Sequence, residues 1–385
     1  MTQLSKLAIL GIAKETVPGT WTAPTAFIPF TKADFEDTTG EIKDESYRAN
    51  DTSLQGLYAG VQDANWSVDV MGYPDLMGHF WRAMVGPDTV VAGVSTTLST
   101  STAVGATSIS TVASIPTGST VMIQDSAGAN TEYAVTGAPT GTGPYTIPIT
   151  SPSGGLLFAH TAPTATVVAQ STHTFKQSTS TAIPSYSLTV YDTLTTIGYV
   201  GAKLSDLQVK IDPKSAVSLS LKYSAFPGAP QSSMTPSYTQ YAPAIGWQWT
   251  MTNAGGSSTR GLTLDLTVKR QTEPIHSSSG AQGPREIFSG TLDSDATYKA
   301  IFDSQTDLNL YAQYSQLPAT ATLTQPISSG GASLAVTMSK SGWYKGKRDL
   351  GPTYVQADFS VSGVYNSTDG GAVSAVLKNF QSTAY

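Results

Sequence analysis

The sequence predicts a mainly β protein: two β-rich halves in tandem, each with one packed helix, and a small all-β domain inserted into the first. Three observations carry this. Charged residues make up 12% of the 385, against about 25% in an average domain, and Ser, Thr and Gly interleaved with Val, Leu, Ile and Tyr take their place, a composition suited to half-buried pleated surface. Apolar residues mostly alternate with polar ones, as in Ser218, Ser220 and Lys222 against Val217, Leu219 and Leu221, so one side of a strand is apolar and the other polar. One early segment breaks that period and reads as a helix.

The helix lies just after an alternating stretch in which Trp66, Val68 and Val70 oppose Ser67, Asp69 and Met71. Pro74 suits a first helical position, where its missing N–H costs nothing. Asp75 and Arg82 match the helix dipole, and Gly86-Pro87 is a stop signal. Leu76, Met77, Phe80, Trp81 and Met84 form one apolar stripe, so residues 74–85 are expected to pack on the core side of a sheet. Composition then shifts abruptly. From residue 89 to 175 there is no Lys or Arg, and the only acids are Asp125 and Glu132. Short strands separated by Pro/Gly turns mark 93–172 as an inserted module.

With the insert set aside, the order of elements recurs. A strand at 27–35 precedes a polar loop at 41–62, then strand, helix and closing strands that include 217–226. A strand at 261–270 precedes a polar loop at 269–286, then a strand at 287–292 and a short helix. Asp293 and Ser294 are candidate N-caps of that helix, with Tyr298, Ile301 and Phe302 as its stripe and a closing strand at 354–365. The division is 1–92 plus 173–230, the module 93–172, and 231–385. Residue identity between the halves is weak, so order and spacing carry the duplication.

Composition excludes much. Without cysteine there is no disulfide, thiolate metal site or Cys nucleophile. A net charge of −6 argues against a phosphate-binding face. No nucleophile elbow, phosphate loop or H-E-x-x-H occurs. His79, His160, His173 and His276 are scattered, and Asp293, Asp295 and Asp303 lack the glycine and terminal glutamate of a calcium loop. No enzymatic activity, cofactor or metal is expected. The run Leu7–Ala13 barely reaches the minimum for a signal-peptide core, is followed by Lys14-Glu15 and has no A-x-A site, so it reads as a strand or packed arm, and no stretch is long enough to span a membrane as a helix. Charges do cluster at two places: Glu41, Lys43, Asp44, Glu45, Arg48 and Asp51 in the first loop, and Lys269, Arg270, Glu273, Arg285 and Glu286 around the second. Either these are solvated loops, as charge runs usually are, or they form a mixed-sign surface that sets register against a neighbouring subunit.

Several stretches resemble the major tail tube proteins of long, non-contractile, siphovirus-type bacteriophage tails. They are GIAKETVPGTWTAPTAFIPF, SVDVMGYPDLMGHFW, PSYSLTVYD with VGAKLSDLQVKI, IHSSSGAQGPREIFSGTLDSDATYKAIFDSQTDLNLY and the final VLKNFQSTAY. Together they span most of the chain outside the insert, which is similar to the Ig-like or small β decorations such proteins carry. The resemblance implies tail-tube-type sandwich halves whose sheets join neighbouring subunits into a barrel around a lumen. It further implies a structural virion protein, made in the host cytoplasm, that self-assembles into stacked rings. Three duplicated chains per ring would give pseudo-sixfold symmetry, with six chains as the alternative. The implied partners are further copies of the chain, tape measure protein and DNA in the lumen, and tail tip and terminator proteins, with no membrane. The alternative function is a β-rich decoration protein or an adhesin that binds a surface glycan or protein.

Overall fold

A computed structural model describes residues 4–49, 51–178, 182–239, 241–253, 256–258, 260–303, 305–351 and 353–385. The fold is mainly β. Strand β1 (Ile9–Lys14) is followed by a long hairpin, β2 (Phe30–Asp44) and β3 (Gly56–Met71), then helix α1 (Met77–Met84) and β4 (Asp88–Val91). After a six-stranded module come β5 (Ser171–Phe175), β6 (Tyr186–Tyr191), β7 (Thr196–Ile211) and β8 (Ser218–Ala225). A second long hairpin, β9 (Gly261–Ile275) and β10 (Glu286–Ile301), leads to α2 (Thr306–Ala312). The chain then runs through β11 (Gln316–Thr324), β12 (Ser333–Asp349), β13 (Gln356–Gly363) and β14 (Ser374–Asn379).

Eight of these strands make one antiparallel sheet in the order β2–β3–β8–β7–β9–β10–β13–β12. Strands β7 and β12 are long enough to serve two layers. Their C-terminal halves lie in this sheet. The N-terminal half of β7 pairs with β6, and β6 with β1. The N-terminal half of β12 pairs with β11 and β14, and the latter continues through β5 to β4. Each long strand carries a bulge near the change of partners, at Leu204–Asp206 and at Trp343–Lys345, where an extra residue lets a strand bend. A single apolar cluster unites both layers and both halves of the chain, with Trp81, Trp343, Tyr186, Tyr199 and Tyr298 among its largest fully buried side chains.

Helix α1 lies within this core: Leu76, Met77, Phe80, Trp81 and Met84 are all buried. It is shorter than residues 74–85, because the N–H groups of Leu76 and Met77 both donate to the Tyr73 carbonyl at 3.0 Å. That shared acceptor makes a turn of Pro74–Leu76, and regular helix begins at Met77. The expected second helix is corrected. Tyr298 and Ile301 lie on β10 and Phe302 just beyond it, while the helix is Thr306–Ala312. Tyr298 is fully buried opposite Leu264 and Phe359, whereas Ile301 is 40% exposed, which is the period-two alternation of a strand. Asp293 and Ser294 are mid-strand and cap nothing. The two polar segments, 41–62 and 269–286, are likewise mostly strand: the connections shrink to 45–55 and 276–285.

The six-stranded module has a separate apolar cluster, drawn from residues between Leu98 and Ala169. It touches the larger sheet system through Tyr133, stacked on Phe380 at 5.7 Å, and through Gln170, whose amide donates to the Gly330 carbonyl at 2.8 Å.

Candidate assembly interface

The eight-stranded sheet offers a polar face and two edges. On β8 the buried positions Leu219, Leu221 and Tyr223 alternate with Ser218, Ser220, Lys222 and Ser224. The polar face continues through Asp206, Gln208 and Lys210 on β7, Asp265, Thr267 and Lys269 on β9, and Asp295, Thr297 and Lys299 on β10. Its cations stand beside acids. Lys222 Nζ is 4.0 Å from Asp206 and Lys299 Nζ 3.8 Å from Asp358. Lys269 lies opposite Asp206 on one side and Asp293 on the other. The Gln208 amide donates to both Asp265 oxygens at 2.8 and 2.9 Å. Such a surface is hydrated and of mixed sign.

The pairing within this sheet repeats residue by residue. In β2–β3, register shifts fall between Phe30 and Lys32 and between Thr39 and Glu41. In β9–β10 they fall between Gly261 and Thr263 and between Arg270 and Thr272, a constant offset of 231 along the first strand and 230 along the second. The bulges of β7 and β12 are offset by 139. The pair Ser218–Met71 recurs as Gln356–Ile301 and the pair Ser224–Asn65 as Ser362–Asp295. Thus β2, β3, β8 and β7 correspond to β9, β10, β13 and β12. The two groups of four meet where β7 pairs with β9, from Asp206–Lys269 to Ile211–Leu264. The corresponding edges, the outer side of β2 and the C-terminal half of β12, have no partner strand among the described residues.

Beyond Thr39 and Gln62 the β2–β3 hairpin projects as a two-stranded arm. Ile42, Leu54, Leu57, Tyr58 and Val61 on it are exposed. A lone hairpin is only marginally stable in water, and a cluster of exposed apolar side chains marks an interaction surface. At its base the Gln62 N–H donates to the Gln282 carbonyl at 2.9 Å and the Gln282 amide to the Gly60 carbonyl at 3.0 Å, so the second hairpin's loop leans on the first arm.

The charged residues singled out from the sequence are spread over these features. Glu41 and Lys43 lie on the β2 arm, and Glu45 is exposed beyond it. Asp44 closes its own turn: it accepts the Ser46 N–H at 3.0 Å and pairs with the Arg48 guanidinium, and the Ser46 hydrogen bonds hold its carboxyl below the ordinary value. Lys269 belongs to the polar face. Glu273, Arg285 and Glu286 are exposed around the second hairpin's tip. Arg270 corrects that expectation: it is buried, 8% exposed, rather than part of a surface. Its guanidinium donates to the Met84 carbonyl at 2.9 Å, Val85 at 3.3 Å and Gly290 at 2.9 Å. It thereby satisfies the orphan carbonyls at the end of α1, and burial lowers its pKa to about 10.

Sequence reasoning missed the edges themselves. Asp34 and Glu36 line β2, and Lys345, Lys347 and Arg348 line β12. In a chain this poor in charge, the runs TKADFED and KGKRD are of opposite sign, and that contrast was the available signal. A family model described as phage tail tube protein matches residues 117–363, more than half of the chain, beginning inside the six-stranded module and ending at the last residue of β13. No curated protein matches the chain.

Proposed function

The chain belongs to the phage tail tube protein family, and from that premise we propose that it is the subunit of a siphovirus-type tail tube, assembling as stacked rings of three chains. The observation that carries this reading is the registered repeat: one internal junction between two four-stranded groups, and two open edges that match the strands of that junction. Unpaired edges invite pairing with another chain. A head-to-tail contact closes into a ring if its rotation allows. Three chains of eight strands bring six equivalent four-stranded groups around one barrel; six chains per ring would bring twelve. The barrel abolishes every edge.

In this ring the polar face lines the lumen. Phosphate affinity comes from Lys and Arg contacts, and lysines already beside carboxylates leave DNA free to slide. The lumen holds tape measure protein before DNA passes, and the ends of the stack meet tip and terminator proteins. The apolar β2–β3 arm and the charges of both hairpins form contacts between rings, and the charged part of those contacts weakens with salt. The six-stranded module, with its own apolar cluster, decorates the tube. The virion component is made in the host cytoplasm, and its role is structural rather than catalytic.

Cryo-microscopy of the polymerised protein tests the reading. Hollow tubes with three chains per ring, and both four-stranded groups in equivalent barrel positions, are expected. Discrete particles, or rings in which the two groups occupy unlike positions, overturn it.

A further inference from the structure

We propose that the β12 edge of one copy pairs with the β2 edge of the next in the register of the β7–β9 junction, so that Lys347 faces Glu36 with Asp34 as its diagonal neighbour. The proposal rests on the ring reading above and adds the residue-level code that joins its subunits.

The register follows from correspondences between strands inside the chain. Along β7 and β12 the bulges align Asp206 with Lys345, Gln208 with Lys347 and Lys210 with Asp349. Along β9 and β2 they align Lys269 with Thr38, Thr267 with Glu36 and Asp265 with Asp34. The internal pairs Asp206–Lys269, Gln208–Thr267 and Lys210–Asp265 therefore translate to Lys345–Thr38, Lys347–Glu36 and Asp349–Asp34. Directions agree: alternating antiparallel strands leave β12 and β2 running oppositely, as β7 and β9 do.

Chemistry supports the same alignment. Within the chain Gln208 reaches diagonally to Asp265. At the open edges a lysine stands at the position of that amide, and the aspartate recurs as Asp34. Among the described residues Lys347, Asp34 and Glu36 make no ion pair within 4 Å in their own chain, although Asp358 on β13 lies opposite Lys347. Lys347 thus receives two carboxylates across the boundary, and it offsets the single like-charge opposition, Asp349 against Asp34. On the other face of the same strands Arg348 comes opposite Phe35. Arg348 already stands over the Phe302 ring at 5.4 Å and Phe35 against Trp66 at 5.2 Å, so both sides of the seam are braced before pairing. Slipping by one residue would set Lys347 against a residue of the other face, Phe35 or Asp37, and the Asp37 oxygens already accept the Gly228 N–H at 3.1 Å and the Tyr199 hydroxyl at 3.3 Å. Opposite charges steer and align such a contact more than they add affinity.

Because the chain has no cysteine, engineered pairs report the register against no background. Directly opposite residues suit a disulfide, whereas diagonal ones at about 7–8 Å do not. In the full-length chain, E36C with K347C should yield covalent dimers and trimers on oxidation of assembled protein. D34C with K347C, and T38C with K347C, should yield almost none. If either control pair links preferentially while tubes form, the register is wrong and the ring reading stands. If the unmodified chain forms no rings, the ring reading itself fails. As a second measure, K347E should slow assembly by about tenfold or more at an unchanged thermal midpoint, and E36K with K347E should restore it. Unchanged assembly by K347E overturns the charge pairing.

Discussion

The same strand junction is present twice in this molecule, once closed and once open, and the helices beside it differ accordingly. Helix α1, beside the closed β7–β9 junction, contacts β7, β5 and β9, and its end is capped by Arg270 of β9. Helix α2 packs mainly on β12, with Tyr311 half-buried over Gly346. The position on β2 that corresponds to Arg270 is Thr39, which offers a helix no guanidinium. Two helices in corresponding places thus differ in burial, and α1 alone has the neighbouring group of strands in the same chain, alongside β5 and Tyr385. The second half is open where, in the proposed ring, the next copy begins.

Truncating both helices should separate them most clearly. Trp81→Ala in α1 should destabilise the free subunit by about 3–5 kcal/mol, the range for large core truncations, whereas Tyr311→Ala in α2 should cost about 1 kcal/mol. Equal shifts in denaturant midpoint would remove the distinction. The pH dependence should follow α1 as well. Burial depresses the partly buried His79 from 6.5 to about 4, and the neighbouring Arg82 and Lys14 charges add to it. Below pH 6.5 the unfolded chain binds a proton that the folded chain refuses. Stability is therefore lost as pH falls from 6.5 towards 4, by about 3 kcal/mol at most. His79→Leu should flatten the denaturant-midpoint profile over that window. Asn309, the counterpart by the β3–β10 offset, is exposed, and its replacement should leave the profile as it was.

Arg270→Met should cost about 2–3 kcal/mol, since it leaves buried carbonyls of Met84 and Val85 without a donor; Thr39→Val at the corresponding position should be near neutral in free subunits. A loss below about 0.5 kcal/mol for Arg270→Met would show that α1 does not depend on the second hairpin. The smallest effect belongs to the arm. Asp44→Ser with Arg48→Ser should change subunit stability by less than about 0.5 kcal/mol, as exposed ion pairs contribute little. In the proposed tube it should nevertheless slow the stacking of rings, read by light scattering.

How far the sequence reached depended on whether a residue had a buried side. Trp66, Val68 and Val70, the stripe of α1, and Leu219 and Leu221 were legible because one face meets a core and the other water. The arms were not. Residues 41–62 read as a polar loop because a projecting two-stranded ribbon buries neither face, so nothing imposes alternation on it; 269–286 read the same way because its exposed tip masked the strand that buries Arg270. Tyr298, Ile301 and Phe302 fit a helical spacing by chance, and pairing with β9 and β13 overrode it. Arg270 looked like a surface charge because its partners are not acids nearby in sequence but carbonyls at the end of a helix some 186 residues earlier.

Composition and local period were enough to read the β class, the polar and apolar faces, the first helix and the stretch without Lys or Arg that contains the module. That β7 meets β9, that Arg270 closes α1, and that β2 and β12 are left unpaired with opposite charge came from the folded arrangement. Register is a relation between distant segments, set by bulges and backbone hydrogen bonds, and no local pattern encodes which strand lies beside which.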